Sequence, residues 1–136
     1  MSVALRVLFA HSAETDGMVV RVAVSFLADQ SQPAQSHWFW AYHIRIENER
    51  DDAVQLLTRR WIITDGRGAR HQVAGDGVVG DQPLILPGAS YDYVSGCPLD
   101  TASGTMEGVY GMVDADGAPF EIRIPRFPLA APAAAE

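Results

Sequence analysis

The residues whose spacing most suggests chemistry are Gly75, Gly77 and Gly80, because the stretch GDGVVG over 75–80 fits G-x-G-x-x-G, the pattern of dinucleotide-binding loops. In such a loop the glycines let a strand turn sharply into a helix whose N-terminal amides and dipole hold a pyrophosphate. Here Pro83 would fall in the first turn of that helix and Pro87-Gly88 in its second, so no dipole of useful length can form. Asp76 and Asp81 also put negative charge where the phosphate would sit. No dinucleotide cofactor is therefore expected. A weaker reading keeps Gly75, Gly77 and Gly80 as an anion- or partner-binding loop, since consecutive amides in a glycine-rich turn form a small anion-binding concavity without any helix. Against it stands a purely architectural reading, in which the glycines let the chain cross from one sheet to another.

Other constellations are poorer. Nucleophilic catalysis would need Cys97 as a thiolate beside a histidine base. Of His11, His37, His43 and His71, only His71, just before the glycine stretch, has a claim by chain position. Cys97 lies between Gly96 and Pro98, where a small, buried, inert thiol is the commoner outcome. His37 and His43 lie six residues apart, about 20 Å along a strand and too far to share an ion. No H-x-H, C-x-x-C or H-E-x-x-H spacing occurs, so no metal set is expected. The carboxylates of Asp51-Asp52 and Asp114–Asp116 read as turn residues bonding nearby amides. Catalytic residues, cofactors and metal ligands are all expected to be absent.

The elements that would have to position these groups are strands. In the run 19–27 Val20, Val22, Val24 and Phe26 share one face, and in the run 37–47 Trp38, Trp40, Tyr42, Ile44 and Ile46 do so. The second run is the expected central core strand. The run 54–64 is less clean, because Leu56-Leu57 and Ile62-Ile63 are adjacent, which a bulge or burial on both faces would explain. Asp65-Gly66-Arg67-Gly68 reads as a tight turn into a returning strand over 69–73. The same device recurs at Asp114–Gly117, between a strand at 105–113 and a return bearing Phe120, Ile122 and Ile124. Pro87-Gly88 marks a turn, 90–94 a short strand and 95–104 an irregular loop. No window carries a sustained period of 3.6 with a cap, so little or no helix is expected. About seven strands spaced by turns make an all-β two-sheet sandwich the natural architecture.

Composition bounds the rest. The 136 residues suit one domain, with 48% hydrophobic and 20% charged residues. The formal net charge is −7, every basic residue is arginine, and Arg59-Arg60 is the only basic doublet, read as solvated or ion-paired strand residues. That balance argues against nucleic acid as a partner. A single cysteine excludes an intrachain disulfide and suits a reducing compartment. The apolar N-terminus fails as an export signal because Arg6 interrupts it, and no run approaches the length of a membrane span. A cytoplasmic location and no membrane contact are the expectations.

With these residues in view, the chain resembles the ApaG family. The resemblance rests on FLADQS at 26–31, WIITD at 61–65, GDGVVGDQP at 75–83, LPG at 86–88 and, above all, SGCPLDTASGTM at 95–106. It spans 18–128. Residues 1–17, an atypical N-terminal segment, and the alanine-rich tail 129–136 match none of it and are expected to be flexible and without a role. The resemblance implies a fibronectin type III-like or immunoglobulin-like β-sandwich of about seven to eight strands. It also implies a genetic link to cobalt resistance and magnesium efflux, no established enzymatic activity, and, by analogy with eukaryotic proteins carrying the domain, an interaction module. The expected partner is another protein. The alternatives are an anion or phosphate at Gly75–Gly80, and a divalent-cation-responsive protein; unpaired strand edges are also compatible with a homodimer.

Overall fold

A computed structural model describes residues 8–132 of the chain. Period-two alternation builds nine strands among these residues: β1 (His11–Thr15), β2 (Met18–Phe26), β3 (Trp38–Asn48), β4 (Val54–Asp65), β5 (Arg70–Asp76), β6 (Leu84–Ile85), β7 (Ser90–Leu99), β8 (Ser103–Val113) and β9 (Pro119–Ala130). They form two antiparallel sheets. The first has the order β1-β2-β3-β7; the second has β5-β4-β8-β9, with β6 beside β4. Among the described residues helical structure is limited to two short 3-10 turns, Ala28–Gln30 and Pro33–Gln35, so the expected all-β sandwich is the fold.

The core is the set of inward faces read from the sequence. Val20 and Val22 on β2 and Trp40, Ile44 and Ile46 on β3 are all but fully buried. They meet Leu56, Trp61, Tyr110, Ile122 and Phe127 of the second sheet. Strand β3 is interior, as expected, between β2 and β7. The uneven run on β4 is resolved by a bulge: the β4–β8 register shifts between Leu56 and Thr58, leaving Leu57 as the extra residue. Both D-x-x-G turns use one device. Asp65 Oδ1 accepts the N–H groups of Arg67 and Ala69, and Asp114 Oδ1 accepts those of Asp116 and Ala118.

Several expectations give way. Two strands exceed the seven read from the alternation, β1 and the two-residue β6. Strand β1 lies inside the segment 1–17, where it pairs with β2; at the other end β9 reaches Ala130 with Leu129 fully buried. Residues 1–7 and 133–136 lie outside the described residues. The supposed loop 95–104 is mostly strand, since β7 runs to Leu99 with Ser95, Cys97 and Leu99 opposite Tyr42, Trp40 and Trp38. The breakers there have local reasons. A Cβ on Gly96 would sit 2.4 Å from the Phe39 ring, so the glycine makes room for that ring. Asn48 N–H bonds the Ala89 carbonyl at 2.9 Å, which fixes the alternation of β3–β7 bonds and turns the nitrogen of Pro98 outward, away from the ladder.

The glycine stretch does not cross between sheets. Both β5 and β6 lie along β4, so the chain leaves that sheet only at Leu86–Ala89, where Gly88 N–H bonds the Asn48 carbonyl at 2.8 Å. Buried Asn48 stitches this crossing, its side-chain amide donating to the carbonyls of Asp52 and Ile85.

Candidate functional site

The two long sides of the sandwich differ. On one, β1 and β2 pack against β9. On the other, β5 and β7 share no comparable contact, and a groove of about 810 Å³ opens between them. Its floor is aromatic and apolar, with Tyr42 and Tyr93 from the first sheet and Trp61 and Met106 from the second. A volume of this size is within the range of ligand sites. Of the six large hydrophobic residues exposed among the described residues, Val73, Val79, Leu84, Leu86 and Val94 belong to β5, β6, β7 or the segments joining them.

Strand β5 is exposed along nearly its whole length. The bonds that flank its pairing with β4, Asp65 N–H to the Ala69 carbonyl at 2.9 Å and Gly77 N–H to the Leu57 carbonyl at 2.8 Å, set the alternation between them. His71, Val73 and Gly75 turn their backbone groups to β4, and Gln72 and Ala74 turn theirs to the open edge.

One arginine lines the groove, together with the carboxylate residues Asp65 and Asp100. Arg59 shares the inward face of β4 with Trp61 and pairs across the sheet with Gly75 on one side and Tyr110 on the other. Its Nη1 donates to the carbonyls of Asp76 and Gly77, 2.9 Å each. Among the described residues no carboxylate lies within salt-bridge distance of it, whereas Arg21, Arg45, Arg50, Arg60, Arg67 and Arg126 all have one. The doublet therefore splits. Arg60 faces outward toward Glu121 as expected, while Arg59 points in, a site residue that reading the pair together missed. The available signal was parity, since Arg59 is two residues from Trp61 on one strand.

The three glycines turn out to have three different jobs. Gly75 is a strand residue without positive φ, and a Cβ there would lie 3.0 Å from both terminal nitrogens of Arg59, so its bare Cα is the seat of that guanidinium. Gly77 has φ +65° and lies against the Asp81 carbonyl. Gly80 has φ +86° in open space, at the tip of a tight turn in which Val78 and Asp81 exchange both backbone hydrogen bonds. The amides of Gly77 and Val78 are thus bonded within the domain, and the Asp81 carboxylate accepts the Tyr91 hydroxyl at 3.1 Å.

His71 and Cys97 both line the groove, so the structure brings together the pair with a claim to nucleophilic chemistry. They do not form a hydrogen-bonded couple: among the described residues the thiol's only contact of that kind is with the Pro98 carbonyl, and burial pushes its pKa up to about 11. His43 instead meets the Asp92 carboxylate at 2.8 Å. Burial likewise holds the hydroxyls of Tyr93 and Tyr110, bonded to each other beneath the groove, well above the usual tyrosine range. Among the described residues no three His, Cys, Asp or Glu side chains converge, and no helix is long and apolar enough to cross a membrane.

Comparison with known proteins places this geometry. The ApaG domain profile matches residues 28–114. A protein named ApaG from Rhodospirillum centenum is 51% identical over 122 residues, covering 90% of this chain and 94% of that protein. One of the same name from Brucella suis is 49% identical with the same coverage. A crystal structure from Bordetella pertussis, described as an ApaA protein, superposes with a TM-score of 0.83 at 44% identity, covering 86% of this chain and 95% of that one. A second structural-genomics target, solved by X-ray, gives 0.82 at 42%, with coverage of 87% and 89%.

Proposed function

Because the chain belongs to the ApaG family, we propose that it is a non-catalytic interaction domain whose partner adds an extended segment, as a further strand, to the open edge of β5. The observation that carries this reading is the contrast among the four sheet edges. β9 carries Pro125 and Pro128, and β1 lies against it. β7 carries Pro98, and its Asp92 is held by His43 and Arg45. Prolines, charges and covering elements are the usual protections of a strand edge. β5 has none between Arg70 and Asp76, and it borders the apolar groove. Main-chain bonds to Gln72 and Ala74 would supply affinity, and every second side chain of the added strand would enter the groove. Pairing with β5 of a second copy is the homodimeric form of the same edge chemistry.

Proline at an outward-facing position removes an edge donor while sparing the β4–β5 ladder. Proteins captured by the wild-type chain in cells should be lost with Ala74→Pro and Gln72→Pro and kept with Ala74→Thr. In a reconstituted complex the amides of Gln72 and Ala74 should become protected from hydrogen exchange. Partners retained by both proline variants, with those amides unprotected, would sink the proposal.

A further inference from the structure

We infer that the segment received by β5 presents an acidic side chain to Arg59 across Gly75, with an apolar residue two positions away in the groove; this rests on the strand-addition reading above. The guanidinium is held in place by the carbonyls of Asp76 and Gly77 and lies over Gly75. Gly75 is the residue of β5 directly opposite Arg59, and its φ makes no demand for glycine. What the position requires is space. With no side chain on Gly75, the charged end of Arg59 is open toward the free edge.

Register then assigns the groups. A strand added to β5 runs about 4.8 Å beyond it, and its residues opposite His71, Val73 and Gly75 share the inward face. The residue opposite Gly75 meets the guanidinium with nothing between them. The residue opposite Val73 packs beside the Val73 side chain, which lies between it and Trp61 on the groove face. Nη1 is engaged by carbonyls, but among the described residues Arg59 donates to no other protein group, which leaves Nε–H and Nη2 for a carboxylate. A neutral partner would leave a partly buried cation with backbone acceptors alone. The net charge of −7 opposes an acidic partner at long range, so the attraction is short-range and should appear mainly in the dissociation rate.

The probe is a displayed library of random nine-residue peptides selected against the folded chain and, in parallel, against Arg59→Gln and Arg59→Lys, each checked for a native amide spectrum. Wild-type selections should enrich Asp or Glu two positions from an aliphatic or aromatic residue. Chosen peptides should shift the amides of Gln72 and Ala74, bind about 10-fold or more tighter than the same peptides with Gln for Glu, and lose that preference on Arg59→Gln. Arg59→Lys should retain part of it. Gly75→Val, which fills the seat, should abolish the acidic preference while leaving the outward amides in place. Peptides that shift β5 amides but show no acidic preference, or prefer acids equally on Arg59→Gln, would overturn this inference and leave strand addition standing. Selections that yield no peptide shifting β5 would overturn both.

Discussion

Alanine substitution at each glycine of the 75–80 stretch separates the roles assigned to them. For Gly77→Ala two costs add. A residue with a Cβ at φ +65° loses about 1–2 kcal/mol. Its Cβ would also stand 2.3 Å from the Asp81 carbonyl oxygen, where ordinary contact begins at 3.4 Å, so backbone must move by about 1 Å. That movement disrupts the paired Val78–Asp81 bonds, which contribute about 1 kcal/mol each. The expected loss is about 3–4 kcal/mol, a large share of the ~5–15 kcal/mol typical of a domain. Gly80→Ala meets open space and bears only the conformational cost, about 1–2 kcal/mol. Gly75→Ala has no φ cost and reduces the freedom of the unfolded chain, which offsets the few tenths of an ångström by which the end of Arg59 must yield; the net should fall within about 1 kcal/mol of zero. Urea unfolding followed by the fluorescence of Trp38, Trp40 and Trp61 measures all three. If Gly75→Ala lost as much as Gly77→Ala, or Gly77→Ala less than 1 kcal/mol, the glycines would be acting as one unit and the division of roles would be wrong.

The buried hydroxyl pair of Tyr93 and Tyr110 predicts strong coupling. Either single change to Phe should cost about 1–3 kcal/mol by stranding the other hydroxyl, and the double change less than the sum, in a double-mutant cycle. Cys97, with its pKa raised by burial to about 11, should react with iodoacetamide at pH 8 roughly 200-fold more slowly than a free thiol from its thiolate fraction alone; mass spectrometry showing labelling within 10-fold of a free thiol would contradict this. For Asp65 burial acts to raise the pKa, but the N–H groups of Ala69 and Arg67 outweigh it and hold the carboxyl below its ordinary value. A carboxyl lowered in the folded state contributes stability that is complete above its unfolded pKa, near 4, and is lost as pH falls through the folded value. The urea midpoint should therefore fall less steeply below pH 4 in Asp65→Asn than in the wild type, and equal slopes would refute the assignment.

The fold was legible because its signals are local. Alternation over β2 and β3, and the D-x-x-G turns, involve residues within a few positions of each other, and the structure builds both as read. Where the reading failed, a local signal had a distant cause. Gly96 and Pro98 read as breakers within what is β7, yet Gly96 makes room for Phe39 on a neighbouring strand, and Pro98 is tolerated because β7 is an edge. Strand β6 escaped notice because two residues carry no period, and its place is set by β4. The groove was not legible at all, since it arises from the spacing of two sheets along one side.

Arg59 marks the boundary between these cases. Once the turn at Asp65–Gly68 is recognised, Asp65 lies opposite Ala69, and counting outward along an unbulged hairpin puts Arg59 opposite Gly75. Parity from Trp61 then turns Arg59 inward. An arginine on the core face of a sheet, beside a glycine that needs no special φ, is a conflict between local pattern and fold of the kind that collects at functional sites. Reading GDGVVG as a single motif hid that conflict, because it joined Gly75 to the loop and separated it from the strand partner that explains it. The same count places the open amides on Gln72 and Ala74, so the proposed docking edge and the charged seat follow from one register. On the proposed strand addition, a partner strand in that register would meet main-chain donors, an apolar floor and one cation together, so recognition would depend on the segment's pattern as well as its extended shape.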